Sequence, residues 1–359
     1  MLKGNKGEWS ELYVFLKLIS EGKLYAANAD LEKVCDIYYP IIKILRLEQD
    51  RKIDYIYDKQ WIIIEDVANH HTIRVSVSDF KKYSLLLLKE IKKAKGRSFS
   101  VKSLEAFLNS IKCSTLKAKS LDKSDIYIKV HDYNTGMRPV LGFSIKSKLG
   151  GAATLLNAGK STNFMYKIEG NISDKEVEEI NKISGRSKIR DRIEALMDKK
   201  YNLTFVKVFS DIFELNLQVI DSKLPEIMAH LLLYYYKGIS TTLSKLIEEI
   251  TRENPLNYNN DLGHNFYEYK VKNLIKDIAL GMTPSKKWNG EIDATGGYIV
   301  VREDGEVLCY HIYNYNEFQD YLLNNLKFET PSSKRHDFGY IYKYDNAYYM
   351  NLNLQLRFI

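Results

Sequence analysis

The sequence predicts a mixed α/β fold, in which residues 1–253 form an α/β core with helical insertions and residues 254–359 form an α+β part. Three observations lead to this division. Apolar residues recur at three- and four-residue spacing in several segments of the core, which is typical of amphipathic helices. Short runs rich in β-branched and aromatic residues lie between these segments and dominate the C-terminal part, which is typical of strands. Residues 254–263 are rich in asparagine and end in a glycine, as expected of a linker.

The first helix is predicted over residues 7–19, where Glu8 and Glu11 share one side because they lie three positions apart. A second helix is expected from Asp30 to Tyr39, with Pro40 ending it or kinking it. Further helices are expected within residues 80–111 and 185–200, from Ser173 to Ile183 with a capping box, and as two helices within residues 224–250.

Strands are predicted wherever β-branched and aromatic residues alternate or cluster between turn residues. In the core these are mixed runs after Ile53 and two neighbouring strands at residues 125–130 and 140–147. In the C-terminal part they lie at residues 296–301, 306–313, 340–343 and 352–358. The small polar segment 150–163 is expected to be a loop or the start of a helix.

Composition bounds the class of protein. A chain of 359 residues with 45% hydrophobic content can bury a large core, which excludes a disordered or fibrous protein. Because the longest uncharged apolar run is too short for a membrane span and the N-terminal segment is charged, we expect a cytoplasmic protein that does not enter membranes. The three cysteines lack CxxC spacing, which argues against a zinc site. The net charge of +7 suits an anionic partner.

Two neighbouring strands carry the candidate chemistry. Asp125 begins the first strand, and Ser144 and Lys146 share one face of the second because side chains alternate along a strand. Hairpin pairing would bring Asp125 beside them. Hydrolysis of a phosphodiester needs a divalent cation that neutralises developing charge and a group that acts on the attacking water. A carboxylate and a lysine supply both requirements.

This arrangement resembles the PD-(D/E)xK nuclease core, which implies that Asp125 binds magnesium and that Lys146 acts on the water. Two positions depart from the pattern: Ser124 replaces the proline, and Ser144 replaces the second acidic ligand. Serine carries no charge, so another carboxylate is needed to complete the metal site.

Glu11 is the first candidate for that carboxylate, since some branches of the superfamily move it to a preceding helix with a KG-x-x-x-x-E pattern. Lys6-Gly7 to Glu11 is similar to this pattern but one residue shorter. Glu8 and Glu105 remain alternatives, with Glu90 in reserve.

Longer phrases, among them NKGEWSELYVFLKLI, GFSIKSKLGG, ATLLNAGKSTNF and GGYIVVREDGEVLCYHIYN, resemble the HpaII family of restriction endonucleases. The resemblance extends over nearly the whole chain. It implies a type II restriction endonuclease that uses Mg²⁺ to cut both strands of double-stranded DNA at CCGG, usually as a homodimer on a palindromic site.

Two segments are predicted to contact DNA. The segment that follows the lysine strand offers small, hydroxyl and amide side chains to phosphates or base edges, namely Thr154, Asn157, Lys160, Ser161 and Asn163. A basic turn near the C-terminus offers Ser332, Ser333, Lys334, Arg335 and His336. Arginine can bridge O6 and N7 of guanine, so Arg335 and Lys334 are the leading candidates for reading a G·C site.

Three alternative functions have sequence requirements of their own. A DNA-binding protein without activity would retain the scaffold but lack Asp125 or Lys146, and both are present. A modification methyltransferase would need a Pro-Cys or Asn-Pro-Pro-aromatic motif, and the sequence has neither. A repair nuclease that recognises DNA structure stays open as an alternative.

Overall fold

A computed structural model describes residues 2–117, 124–133 and 135–359. The mixed α/β prediction is confirmed. The chain divides into two compact units, which are described separately. Unit 1 consists of Met1–Ala153, Ala279–Gly281 and Ile292–Tyr321, and unit 2 of Thr154–Ile278, Met282–Glu291 and Leu322–Ile359. The sequence predicted the domain boundary after residue 253, whereas the structural division assigns residues 292–321 to unit 1.

The helices and strands have the following bounds. The helices are α1 Lys6–Glu21, α2 Val77–Lys93, α3 Glu105–Ser110, α4 Asp174–Lys182, α5 Lys188–Asp198, α6 Asp211–Ile220, α7 Leu224–Lys237, α8 Leu243–Glu253, α9 Phe266–Leu280, α10 Tyr315–Asn325 and α11 Ser333–His336. The strands are β1 Lys23–Ala27, β2 Lys33–Glu48, β3 Arg51–Asp58, β4 Trp61–Asp66, β5 His71–Ser76, β6 Ile126–Val130, β7 Val140–Ser147, β8 Thr154–Leu156, β9 Asn163–Glu169, β10 Asn202–Val208, β11 Gly297–Val301, β12 Val307–Tyr310, β13 Leu326–Phe328, β14 Ile341–Tyr344, β15 Ala347–Asn353 and β16 Leu356–Phe358.

Unit 1 is built on a nine-stranded sheet with the order β1-β12-β11-β7-β6-β2-β3-β4-β5. Strand β11 pairs with β7 in parallel, and β12 pairs with β1 in parallel. The other pairs are antiparallel. Two strands from late in the chain therefore complete a sheet that begins near the N-terminus. This long-range pairing explains why a boundary drawn from local composition differs from the structural division.

Helix α1 lies against this sheet and is buried on most sides. Trp9, Leu12 and Leu16 are buried at three- and four-residue spacing, and so are Val14, Phe15 and Leu18 on other sides of the helix. Asn5 and Glu8 form a capping box at its first turn, where each side chain accepts a hydrogen bond from the other residue's backbone N–H. The predicted helix is confirmed, and because α1 packs against both the sheet and α2, it is a central core helix.

The helix predicted from Asp30 to Tyr39 is wrong, because β2 begins at Lys33 and continues as a strand to Glu48. The first half of β2 pairs with β1, and its second half pairs with β3 and β6. Pro40 lies opposite Lys23 within this strand. The run of β-branched and aromatic residues favours a strand once β1 supplies a partner for its backbone.

Unit 2 contains a four-stranded antiparallel sheet of order β10-β9-β15-β14 and a three-stranded sheet of order β13-β16-β8. Helices α6 and α7 pack on the first sheet, as does α4 at its β14 edge. The capping box at Ser173 and Glu176 is confirmed, and so is the break between α7 and α8. Segment 150–163 was expected to be a loop or helix start, but it contains β8 and a single 3₁₀ turn at Lys160–Thr162.

Within the described part of the chain, no helix combines the length and apolar character that a membrane crossing requires.

Candidate active site

The four side chains predicted for catalysis lie together in unit 1. Asp125 immediately precedes β6, and its Oδ2 accepts the Ile145 backbone N–H at 2.7 Å and the Ser144 hydroxyl at 3.4 Å. Lys146 lies two residues beyond Ser144 on β7, and its charge acts on the Glu11 carboxyl. Glu11 of α1, Asp125, Ser144 and Lys146 are named the acidic site below.

The pairing of β6 with β7 fixes Asp125 in this position. Ile126 lies opposite Phe143, and the Asp125 N–H donates to the Phe143 carbonyl at 2.8 Å. Gly142 permits the close approach, since a Cβ there would lie 2.3 Å from the Ser124 hydroxyl oxygen. The antiparallel register therefore directs the start of one strand toward the middle of the next.

Helix α1 is held against the end of β7 by polar contacts. The Ser10 hydroxyl donates to the Lys6 carbonyl at 2.7 Å and lies 2.8 Å from the Ser147 hydroxyl. The Lys6 ammonium donates to the Leu149 carbonyl at 3.3 Å. These contacts join the first turns of α1 to the segment that carries Lys146, and they place Glu11 beside the two strands.

Burial and the negative charge of Asp125 both raise the pKa of Glu11. Its side chain is only 12% exposed, and its Oε1 lies 2.9 Å from the Lys117 ammonium nitrogen in an ion pair. Burial is the first cause that raises the pKa of Glu11 to about 7, and the negative charge of Asp125 raises it further. Lys117 and Lys146 oppose this rise. A cation placed beside Glu11 and Asp125 would relieve their repulsion.

Two of the alternative carboxylates, Glu8 and Glu90, have partners elsewhere. Glu8 accepts the Asn5 N–H at 2.8 Å in the capping box. Glu90 lies near the end of α2, 3.7 Å from Lys93, and Glu105 begins α3. The Glu11 carboxyl interacts with the charge of Asp125.

The acidic site suits a cation that needs few protein ligands. No group of three or more His, Cys, Asp or Glu residues able to hold a metal ion occurs among the described residues. Mg²⁺ is usually held by one or two carboxylates, and water and substrate phosphate complete its octahedral shell. The two carboxylates of Glu11 and Asp125 fit this ligand requirement.

Sequence reasoning missed Lys117, which pairs with Glu11, and the hydroxyl contact between Ser10 and Ser147. The alternation of Ser144, Lys146 and the following strand residues gave no indication of these partners. Lys117 lies outside regular secondary structure, so no periodic pattern could have indicated it.

The two segments predicted to contact DNA meet on one surface of unit 2. Lys160 forms an ion pair with Asp337, which follows α11. The Asn163 side chain donates to the carbonyls of His336 at 2.9 Å and Asp337 at 3.2 Å. Asn163 is only 1% exposed and also accepts from Asn353, so it ties the segments together and is unavailable for direct contact with DNA.

The other predicted DNA-contacting residues reach solvent to different degrees. Exposed members are Asn157, Lys160, Ser332, Lys334 and Arg335, and partly exposed members are Thr154, Ser161, Ser333 and His336. These nine residues are named the basic surface below. The short helix α11 presents Lys334 and Arg335 side by side where the sequence predicted a basic turn.

Comparison with known proteins first identifies the class to which this chain is similar, the restriction endonucleases. The family model described as HpaII restriction endonuclease matches residues 5–358. The chain is also 49% identical over 357 residues to a Haemophilus parainfluenzae protein described as type II restriction enzyme HpaII, and the match covers 99% of this chain and 98% of that relative. No solved structure matches the chain.

The chain therefore belongs to the HpaII restriction endonuclease family. The family resemblance inferred from the sequence is confirmed. Membership places the chain among type II site-specific deoxyribonucleases, enzymes that cleave DNA at defined sequences.

Proposed function

We propose that this enzyme cuts both strands of double-stranded DNA at CCGG in a magnesium-dependent reaction, and that it does so in the cytoplasm as a homodimer. We further propose that its acidic site is a variant PD-(D/E)xK site. The observation that carries the proposal is the convergence of Glu11, Asp125 and Lys146, which come from one helix and two strands. Glu11 occupies the role that Ser144 leaves open.

Glu11 and Asp125 would hold magnesium, which supplies charge neutralisation at the scissile phosphate when bound. The Ile145 N–H and the Ser144 hydroxyl both donate to Oδ2 of Asp125, and they fix the orientation of that carboxylate. Ser144 therefore positions a ligand and need not be one. Pre-set orientation matters because metal ligands displaced by small distances lose affinity.

Lys146 acts on the attacking water in this proposal. Its ammonium group shares the site with two carboxylates, so it can orient a water molecule by hydrogen bonding and stabilise negative charge that develops during attack on phosphorus. The water oxygen forms the new P–O bond as the bond to the leaving oxygen breaks. The attacking water releases a proton to solvent, and the leaving oxygen takes up a proton from solvent.

The basic surface of unit 2 would bind the substrate. A palindromic four-base site suits a symmetric dimer, because each subunit then reads one half with few contacts. Arg335 and Lys334 are proposed to read guanine, and the remaining members of the surface to contact phosphates or sugars.

The test combines plasmid digestion with binding. Wild-type enzyme should cut a plasmid of known sequence only at CCGG and only with magnesium, and cutting that follows DNA structure instead would support a repair nuclease. Asp125→Asn and Lys146→Ala should lose cleavage but keep their melting temperatures and their affinity for a CCGG duplex. Asp36→Asn, at an exposed aspartate of β2, is the matched control. Cleavage retained by either site variant would remove the assignment.

A further inference from the structure

A cavity of about 560 Å³ opens on the four-stranded sheet of unit 2. Its lining includes four tyrosines from β14, β15 and the residue before β14, together with Met165 of β9, and we name it the tyrosine cavity. The four are Tyr340, Tyr342, Tyr344 and Tyr349. Helices cover the opposite face of this sheet, where the Tyr166 hydroxyl donates to the Ala229 carbonyl of α7. The sheet thus has one packed face and one open, aromatic face.

The cavity presents aromatic rings more than hydroxyl groups. The Tyr342 hydroxyl already donates to Oδ1 of Asn351 at 2.9 Å. The rings of Tyr342 and Tyr349 lie 6.1 Å apart at an angle of 29°. Tyr344 is 63% exposed and Tyr340 is 41% exposed. Large exposed aromatic surface gathered in one concavity indicates a binding site.

Cationic side chains accompany the rings. Lys160 and Lys207 line the same cavity, and the acidic lining residue Asp337 is ion-paired with Lys160. A ligand that combines a flat ring with an anionic group matches this pairing of tyrosine faces and ammonium groups. A nucleotide has both parts, and aromatic stacking with lysine contacts is the usual means of binding an unpaired nucleotide.

The cavity is also continuous with the basic surface. Lys160 and Asp337 belong to the segments that carry Asn157, Lys334 and Arg335. DNA bound along those segments would therefore pass the mouth of the cavity. The cavity has the volume of a small-molecule site and cannot admit a duplex.

We propose that the tyrosine cavity receives one nucleotide of the DNA substrate after its base has left the stack. The base lies against the rings, with Tyr344 as the principal platform, and the phosphates lie toward Lys160 and Lys207. Base faces inside a duplex are covered by their neighbours, so an aromatic ring can stack only on a displaced base. Favourable stacking in the cavity offsets the cost of unstacking. This inference rests on the proposed cleavage of DNA.

The experiment uses the full-length enzyme with CCGG duplexes that carry a fluorescent analogue, pyrrolocytosine at each cytosine or a fluorescent guanine analogue at each guanine. Emission rises when such a base leaves the stack. With magnesium absent, wild-type enzyme should raise the emission at one position of the site. Tyr344→Phe should preserve this rise and the affinity, because the ring remains.

Tyr344→Leu should abolish the rise in emission and weaken duplex binding by about 5- to 150-fold. This loss corresponds to the usual free energy of stacking one base on an aromatic side chain. Tyr269→Leu is the matched control, since Tyr269 is 68% exposed on α9 and does not line the cavity. Melting temperatures of all variants report whether they fold.

Each other outcome overturns the inference. Equal losses for Tyr344→Phe and Tyr344→Leu would assign the hydroxyl to a direct contact and exclude stacking. No rise at any position, or no difference between Tyr344→Leu and Tyr269→Leu, would exclude a base from the cavity. Binding of free deoxynucleoside monophosphates that Tyr344→Leu weakens, without an effect on DNA, would assign the cavity to a free ligand. Wild-type cleavage at CCGG with magnesium tests the proposed function separately.

Discussion

The charged residues of the acidic site and those of the basic surface have opposite surroundings. In unit 1, Glu11 is 12% exposed and interacts with Asp125 and Lys146 inside a rigid frame of one helix and two strands. In unit 2, Lys160 and Asp337 form an ion pair with each other, and their side chains are 62% and 49% exposed. The first arrangement holds charges in fixed positions, and the second presents them to solvent.

This difference indicates that substitutions can separate DNA cleavage from DNA binding. Buried charges interact strongly because little water screens them, which suits a metal site. Exposed charges contribute little to folding, which leaves them available for a polyanion. Substitutions in the acidic site should therefore affect cleavage, and substitutions on the basic surface should affect binding.

The largest effect is expected for Glu11→Gln. Loss of one of two carboxylates should reduce magnesium-supported cleavage by about 1,000-fold or more, because loss of a group that merely supports a metal ligand already costs about 10- to 100-fold. Affinity for a CCGG duplex should change little. Cleavage rates over a magnesium series and duplex binding measure the two effects.

Glu21→Gln is the control for this substitution, since Glu21 lies at the end of the same helix and pairs with Lys17 of the preceding turn. It should cut normally. If Glu11→Gln also cuts normally while Glu8→Gln or Glu105→Gln is inactive, the metal site uses a different carboxylate.

The sequence was sufficient for the strand part of the acidic site and insufficient for its surroundings. Alternation along one strand placed Ser144 and Lys146 on one face, and pairing with the preceding strand added Asp125. These are local relations. Lys117 could not be found, because it pairs with Glu11 through a tertiary contact and lies in no periodic segment.

The same distinction applies to the rest of the fold. The helix expected from Asp30 to Tyr39 was wrong because residues 33–39 pair with β1 as the first half of β2, and helical spacing does not reveal a strand partner. Asn163 looked like a polar loop residue, yet a hydrogen bond with Asn353 buries it. Tyrosines alternate visibly at residues 340–344, but only the position of the helices determines which face of the sheet is open.

Ion pairs provide a direct test of the comparison. Arg46 and Glu48 of unit 1 lie 2.6 Å apart and are 3% and 2% exposed. Glu48 also accepts hydrogen bonds from Ser114 and Thr115. Arg46→Met leaves a buried carboxylate without its cation and should lower the free energy of unfolding by about 3 to 5 kcal/mol. Urea unfolding measures the loss.

Lys160→Met, in the exposed pair, should change the free energy of unfolding far less than Arg46→Met does, because exposed ion pairs contribute little to folding. The double variant Arg46→Met with Glu48→Met should regain part of the stability, since it removes both buried charges but leaves the Ser114 and Thr115 donors without their acceptor. Equal losses for Arg46→Met and Lys160→Met would show that the two units do not differ in this respect.

The stability of the metal-free enzyme should depend on pH through Glu11. Its folded pKa of about 7 lies above the usual 4.5, so the folded protein retains a proton that the unfolded chain has released between these values. This stabilisation is fully present below pH 4.5 and is lost as the pH rises through about 7. Over this pH range the free energy of unfolding of the wild type should therefore fall by up to about 3 kcal/mol relative to that of Glu11→Gln.

Unfolding of both proteins by urea at pH 5 and pH 8, without magnesium, measures this difference. At pH 8, magnesium should stabilise the wild type more than Glu11→Gln, because it binds the folded state through the ionised carboxylates. A constant difference between the two proteins across this range would show that Glu11 titrates normally.

The smallest effect concerns base discrimination by the basic surface. Arg335 and Lys334 are adjacent and exposed on α11, so they form a matched pair that differs in chemistry and little in position. Arginine can make two hydrogen bonds to one guanine, whereas lysine acts on phosphates as a point charge. Arg335→Ala should therefore cost about 1 to 3 kcal/mol of preference for CCGG over sites with one changed base, and Lys334→Ala should weaken binding to all duplexes alike and reduce the salt slope by about one. Binding of both variants at several salt concentrations separates these effects, because preference and salt dependence are measured independently. An unchanged preference in Arg335→Ala would mean that α11 positions the duplex and that residues elsewhere read the bases, with Asn157 and Ser161 of the neighbouring segment the next to test.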